Sequence, residues 1–147
     1  MPESLNLQAV LNELKLPRLS PTNPALMAGL VSDIESSFDE TTSADPRQLA
    51  LKSLLLLQAG ALEKAHAIVQ SMTTPQAAYV HGIIHRVEGD FGNARYWFHR
   101  AGALNSELKG EHLTTQFERQ SQNPNPDLVA DLNQEFFALV RHLQEPK

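Results

Sequence analysis

The stretch "GDFGNARYWFHRA" (residues 89–101) repeats the pattern of an earlier one, "GALEKAHAIVQSM" (residues 60–72), at an offset of 29 residues. In both copies a glycine is followed, at the same distances, by a large apolar residue, an alanine and a second large apolar residue. The matching pairs are Gly60 with Gly89, Leu62 with Phe91, Ala65 with Ala94, and Val69 with Phe98. Glycine permits a tight turn, and alanine allows two helices to approach closely. The repeat therefore predicts two consecutive pairs of antiparallel helices.

The rest of the chain is also typical of helices, and no segment shows the period-two alternation of a half-buried β-strand. Three helices are predicted to begin where a capping residue precedes a proline, at Asn23–Pro24, Thr74–Pro75 and Asn125–Pro126. Others are predicted over residues 4–16, 47–57, 62–72 and 91–101, with a short helix that includes Leu108, Leu113 and Phe117. We expect an all-α chain.

One stretch of the sequence reads Ala78-x2-His81-Gly82-x2-His85, followed by Ala94-x3-Phe98. This pattern resembles the tetratricopeptide helix–turn–helix repeat. The positions where that family has small, turn, small, aromatic and small residues are occupied by Gly82, Gly89, Ala94, Phe98 and Ala101. The family's usual tryptophan, leucine, aromatic residue and proline are replaced by Ala78, His81, His85 and Ser106. The string "HGIIHR…EGDFGNARYWF" (within residues 81–98) is also similar to a signature of microbial proteins. That similarity implies no activity.

The resemblance covers about residues 46–103, roughly 40% of the chain. It implies a short tetratricopeptide-like α-solenoid in which helix pairs form a right-handed superhelix. We expect a single helical domain over residues 1–147, with N-terminal helices in 1–44, two repeat-like pairs in 45–103 and C-terminal capping helices in 104–147.

The composition excludes several classes of protein. The 147 residues include no cysteine, which excludes disulfides, thiolate metal sites and a cysteine nucleophile. A net charge of −5 argues against binding to nucleic acid or to an anionic membrane. The sequence shows neither a signal peptide nor an apolar run long enough to span a membrane, so we expect a cytoplasmic protein. No phosphate-binding loop or nucleophile elbow is present, and we assign no catalytic residue.

The first candidate site is a binding surface on the helix that follows Pro75. Tyr79, Ile83 and Arg86 lie on one side of this helix, and the resemblance implies that the first helix of each repeat lines a concave groove. An aromatic, an aliphatic and a guanidinium group together suit a peptide or a carboxylate. We add Arg100, one turn from Tyr96, to this surface. The predicted function is a non-enzymatic module that binds a peptide or helix of a partner protein in a shallow groove.

The alternative is a site for a divalent transition metal or a small ligand, which an enzyme could also use. His81 and His85 are four residues apart and Glu88 follows three later, so all three project from one helix face. A third strong ligand has to come from elsewhere in the chain, with His66, His99 and His112 as candidates. The histidines are equally compatible with structural packing between helices, or with a catalytic or pH-sensitive role. A homodimer with Trp97 in its interface is a third alternative.

Overall fold

The computed structural model describes residues 27–38, 45–120, 123 and 125–144, and all of their regular structure is helical. Seven helices follow one another in these residues: α1 (Ala28–Ser37), α2 (Pro46–Gln58), α3 (Leu62–Val69), α4 (Pro75–Glu88), α5 (Phe91–Ala101), α6 (Gly110–Arg119) and α7 (Pro126–Gln144). Helices that are neighbours in sequence pack against each other in antiparallel fashion. The all-α class expected from the sequence is therefore confirmed for the described residues.

The helix starts follow the capping signals of the sequence. The hydroxyl of Thr74 accepts a hydrogen bond from the backbone N–H of Ala77 at 3.2 Å, and Pro75 is the first residue of α4. The side chain of Asn125 likewise accepts from the N–H of Leu128 at 2.8 Å, just before Pro126. Each cap satisfies a backbone donor that the first turn of a helix leaves unpaired.

The turns between paired helices are made by the two glycines of the sequence repeat. Gly60 has a φ of 92° and Gly89 a φ of 87°, in the left-handed region that residues with a Cβ avoid. Gly60 connects α2 to α3, and Gly89 connects α4 to α5. The chain therefore reverses within a few residues at both positions, as the repeat predicted.

Two predicted helices differ in extent from the observed ones. The start of the second helix was expected at Asn23–Pro24, which lies outside the described residues; within them, Met27 is not helical and α1 begins at Ala28. The N–H of Met27 donates instead to the carbonyl of Ala59 at 2.8 Å, which ties this end of α1 to the end of α2. Helix α3 ends at Val69 rather than at residue 72. The helix predicted over residues 4–16 lies outside the described residues.

Helix α4 is the centre of the fold. It contacts α2, α3, α5 and α6, and 11 of its 14 residues are buried. Helix α7 packs against α2 and α6 and closes the core with an apolar stripe. None of the helices in the described residues is long and apolar enough to cross a membrane.

The contact between α4 and α5 depends on a missing side chain. Phe98 of α5 lies against Gly82 of α4 so closely that a Cβ on this glycine would be 2.9 Å from three carbons of the phenyl ring. Gly110 of α6 borders the same ring, and a Cβ there would also clash. Small residues at both positions let the aromatic ring fill the space between three helices.

We expect Gly82→Ala to lower the free energy of unfolding by about 1–3 kcal/mol, because the added methyl group overpacks the site of Phe98. Urea denaturation of the purified protein measures this change. The matched control is Gly92→Ala in α5, where a Cβ meets nothing within 4 Å. There alanine should leave stability unchanged or raise it by up to about 1 kcal/mol through its helix propensity. Equal effects of the two substitutions would contradict this account of the packing.

Candidate functional site

Three histidines from two helices converge where α3 meets α4. His66 lies on α3, while His81 and His85 lie one turn apart on α4. The Nε2 atoms of His66 and His81 are 3.0 Å apart. One ring nitrogen of each histidine lies within 4.8 Å of those of the other two. The histidine pair seen in the sequence thus gains a third imidazole, and the structure selects His66 from the three candidates.

The other two candidates lie elsewhere on the surface. The side chain of His99 is 88% exposed, with Nδ1 3.8 Å from a carboxylate oxygen of Glu111. His112 is exposed on α6 and takes no part in the histidine cluster.

His81 is the most deeply buried member of the cluster, at 3% exposure. Its ring stacks on Trp97, with ring centroids 4.0 Å apart and planes inclined by 12°. Its Nδ1 atom has no hydrogen-bond partner among the described residues. Burial, and next the charges of His85 and His66, lower the pKa of His81 to about 4. This imidazole is therefore neutral near pH 7 and has a lone pair available.

His85 is oriented by a carboxylate. Its Nδ1 is 2.8 Å from Oε1 of Glu88, and a proton on Nδ1 donated to this oxygen leaves the lone pair on Nε2. Carboxylates often hold metal-binding histidines in this way. Glu88, which the sequence suggested as a ligand or an orienting residue, makes the contact of an orienting residue.

The opposite side of α4 contains a buried ion pair. The guanidinium of Arg86 donates to both carboxylate oxygens of Glu135 on α7, and the hydroxyl of Tyr79 donates to Oε2 of Glu135 at 2.6 Å. The guanidinium carbon lies 5.4 Å from the ring centroid of Phe98 and 5.9 Å from that of Phe117. Burial, and next the charge of Glu135, raise the pKa of Tyr79 well above its usual range, so the phenol keeps its proton.

The open groove predicted around Tyr79, Ile83 and Arg86 needs correction. These side chains are 2%, 0% and 1% exposed, so they line no open surface in this structure. Glu135 on α7 takes the position of the expected carboxylate partner. A partner protein could reach these residues only if the helices packed over them moved away, and their role in binding stays a prediction.

Glu135 is the residue that reasoning from the sequence missed. It lies three residues after Leu132 and four residues before Leu139, so it shares the apolar face of the last helix. A single carboxylate within such a stripe needs a buried partner. That signal is visible in the sequence, although it does not say which of the basic residues is the partner.

The fourth residue predicted for the binding surface, Arg100, lies on an exposed face of α5. It donates to the hydroxyl of Tyr96 at 3.4 Å, and its guanidinium carbon is 5.7 Å from the tyrosine ring centroid and 5.5 Å from that of Trp97. Tyr96 is 52% exposed. The local pair of Tyr96 and Arg100 expected from their spacing is therefore formed.

Comparison of the chain with family models, with curated proteins and with solved structures gives no match in any of the three. The sites described above consequently rest on the geometry of this chain alone.

We expect Glu135→Ala to destabilise the protein by about 3–5 kcal/mol, because it leaves the charge of Arg86 buried and unpaired. The control is Glu107→Ala, which removes an exposed ion pair with Arg141 at 3.2 Å and should cost no more than about 1 kcal/mol. The double variant Arg86→Met, Glu135→Met should be more stable than Glu135→Ala, since no charge stays buried. Chemical denaturation measures all three, and a double variant less stable than Glu135→Ala would contradict the assignment.

Proposed function

We propose that this protein binds a divalent transition-metal ion through His66, His81 and His85. The observation that supports this function is the convergence of three imidazole nitrogens within 4.8 Å of one another. The rings of His81 and His85 are held in parallel, with centroids 4.9 Å apart and an angle of 20° between their planes. Because packing already limits their rotation, an ion would have little side-chain ordering left to impose.

The separations between the nitrogens suit a small ion. Zinc binds histidine nitrogen at about 2.0–2.1 Å, so two nitrogens on a tetrahedral zinc ion lie about 3.3 Å apart. The Nε2 atoms of His66 and His81 are already 3.0 Å apart. The remaining separations are at most 4.8 Å, so they need to close by no more than about 1.5 Å. Rotation of the partly exposed His66 side chain could contribute to this closure.

The nature of the donors limits which ions would bind. Three neutral imidazoles suit zinc, copper or nickel better than magnesium or calcium, which prefer oxygen. The low pKa of His81 favours binding near neutral pH, since no proton has to be displaced from an imidazolium there. Three protein ligands leave a fourth position on a tetrahedral ion for water or another ligand.

A more specific description of the fold belongs to the same proposal, namely that α2–α3 and α4–α5 are two copies of a tetratricopeptide-like pair. Ser53 and Gly82 occupy equivalent positions, 29 residues apart, on the first helix of each pair. The hydroxyl of Ser53 donates to the carbonyl of Ala65 on α3 at 2.7 Å, and Gly82 accommodates Phe98 of α5. In both pairs this small residue thus faces the second helix, which supports a short solenoid.

A second candidate function is binding of a partner protein, which we propose for the surface patch formed by the exposed Tyr96 and Arg100 and the half-buried Trp97. Tryptophan, tyrosine and arginine are the residues that most often dominate binding energy at interfaces. Arg100 has no acidic partner among the described residues, while the nearby Arg95 is paired with Glu118. The free charge of Arg100 fits an acidic peptide whose carboxylate lies next to an apolar side chain.

For the metal site, we expect the chelator-treated chain without an affinity tag to bind one zinc or nickel ion. Isothermal titration calorimetry should show this stoichiometry, and a free ion concentration a hundred times Kd should stabilise the fold by about 2.7 kcal/mol. His66→Ala should weaken binding at least tenfold, with circular dichroism confirming that the partly exposed position tolerates the change. His99→Ala and His112→Ala should bind as the wild type does. No binding by the wild type, or equal losses in all three variants, would refute the site.

For the surface patch, we expect Arg100→Glu to weaken binding of an acidic partner peptide more than tenfold, because it reverses the charge that the carboxylate meets. A library of peptides that pair acidic with apolar residues, screened by fluorescence anisotropy, supplies the ligand. The control is Arg119→Glu, an exposed charge near the end of α6. If both substitutions weaken binding equally, the effect is one of net charge, and the patch is not the site.

A further inference from the structure

We infer that His85 also belongs to a second cation site, formed with Glu88 and Asp90 where α4 ends, so that one imidazole serves two ions. This inference rests on the proposed metal-binding function, since it shares His85 with the first site. The ring nitrogen of His85 and one carboxylate oxygen from each of the two acids lie within 4.8 Å of one another.

The turn at Gly89 fixes this arrangement. Its N–H donates to the carbonyl of Arg86 at 3.0 Å, and the N–H of Asp90 donates to the carbonyl of His85 at 2.9 Å. These two bonds close the end of α4 while the glycine takes its left-handed conformation. The chain therefore turns back, and Asp90 begins α5 as its N-cap, next to the histidine five residues before it.

Both carboxylates keep acceptor capacity for a cation. Asp90 accepts from the backbone N–H and from the side-chain amide of Asn93, each at 3.3 Å. Glu88 contacts Nδ1 of His85 through Oε1. A carboxylate has about four lone-pair directions, so neither group is saturated by these contacts. Both acids are exposed, and a hydrated ion could reach them directly.

The electrostatics of Glu88 give an independent reason to expect a cation. It is the last residue of α4, where the helix dipole places partial negative charge and an acidic side chain is unfavourable. Neither Glu88 nor Asp90 forms an ion pair with a lysine or arginine among the described residues. A divalent cation would neutralise this local excess of negative charge.

The two sites differ in the donors that they offer. The first has three imidazole nitrogens, whereas the second has one nitrogen and two anionic oxygens. The Nδ1 atom of His85 faces Glu88, so an ion there would replace the proton on that nitrogen, which leaves for solvent. With zinc on Nε2, the ring would then bridge the two ions as an imidazolate anion. Carboxylate ligands suit manganese, and imidazole ligands suit zinc. We therefore expect zinc at the first site and manganese at the second.

The test uses the full chain, stripped of metal with a chelator and then given one equivalent of zinc before titration with Mn²⁺. Electron paramagnetic resonance measures free Mn²⁺, so the amount of bound manganese follows by difference from the total added. Elemental analysis measures the bound zinc. The wild type should bind one of each. Asp90→Asn, which keeps a good N-cap, should weaken manganese binding at least tenfold and leave zinc bound. Glu88→Gln should also weaken manganese binding at least tenfold, and it should weaken zinc binding as well, since Glu88 orients His85. Glu118→Gln, which alters an exposed acid of α6, is the control and should change neither.

Failure of each hypothesis has its own signature. Zinc bound without manganese, or manganese binding that ignores Glu88→Gln and Asp90→Asn, overturns the second site and leaves the proposed function standing. Manganese bound at Glu88 and Asp90 without any zinc site overturns the proposed function instead. If the wild type binds neither zinc nor manganese, the proposed function and the second site are both overturned. The supporting pattern is completed by His66→Ala, which should lose zinc and retain manganese.

Discussion

The buried ion pair between Arg86 and Glu135 is the interaction on which the arrangement of the described helices depends. A guanidinium group at 1% exposure is tolerated only with a partner, because taking a charge out of water costs several kcal/mol. That partner comes from α7. The rings of Phe98 on α5 and Phe117 on α6 also lie within 6 Å of the guanidinium carbon. One charge on α4 thus constrains how three other helices pack around it.

The same helix carries two of the three candidate metal ligands, His81 and His85, and this gives them a rigid support. Helix α4 is enclosed by α2, α3, α5 and α6, and the ring of His81 stacks on Trp97, so His81 and His85 project from a fixed backbone. Binding sites work best when their side chains are held in place before the ligand arrives. The burial that closes the predicted groove on one side of α4 therefore favours a preorganised histidine cluster on the other.

How far the sequence leads depends on the range of the interactions involved. Caps at Thr74 and Asn125 and turns at Gly60 and Gly89 are decided by a few neighbouring residues, and the sequence predicted all four correctly. The i, i+4 spacing of His81 and His85 was equally visible. The spacing could not identify the third imidazole, because nothing in the local sequence distinguishes His66 from His99 or His112. Only the fold brings His66 next to His81 and His85.

The sequence by itself determined that the chain is helical, where most helices start and turn, and which histidines share a helix face, since these follow from backbone preferences and a period of 3.6 residues. Only the tertiary structure decided which faces are covered. Tyr79, Ile83 and Arg86 have the composition of an exposed binding surface, yet all three are buried. Glu135, 49 residues beyond Arg86, accepts hydrogen bonds from Tyr79 and Arg86 and so permits their burial. A contact between residues so far apart in sequence is set by the packing of the whole core, and no local pattern encodes it.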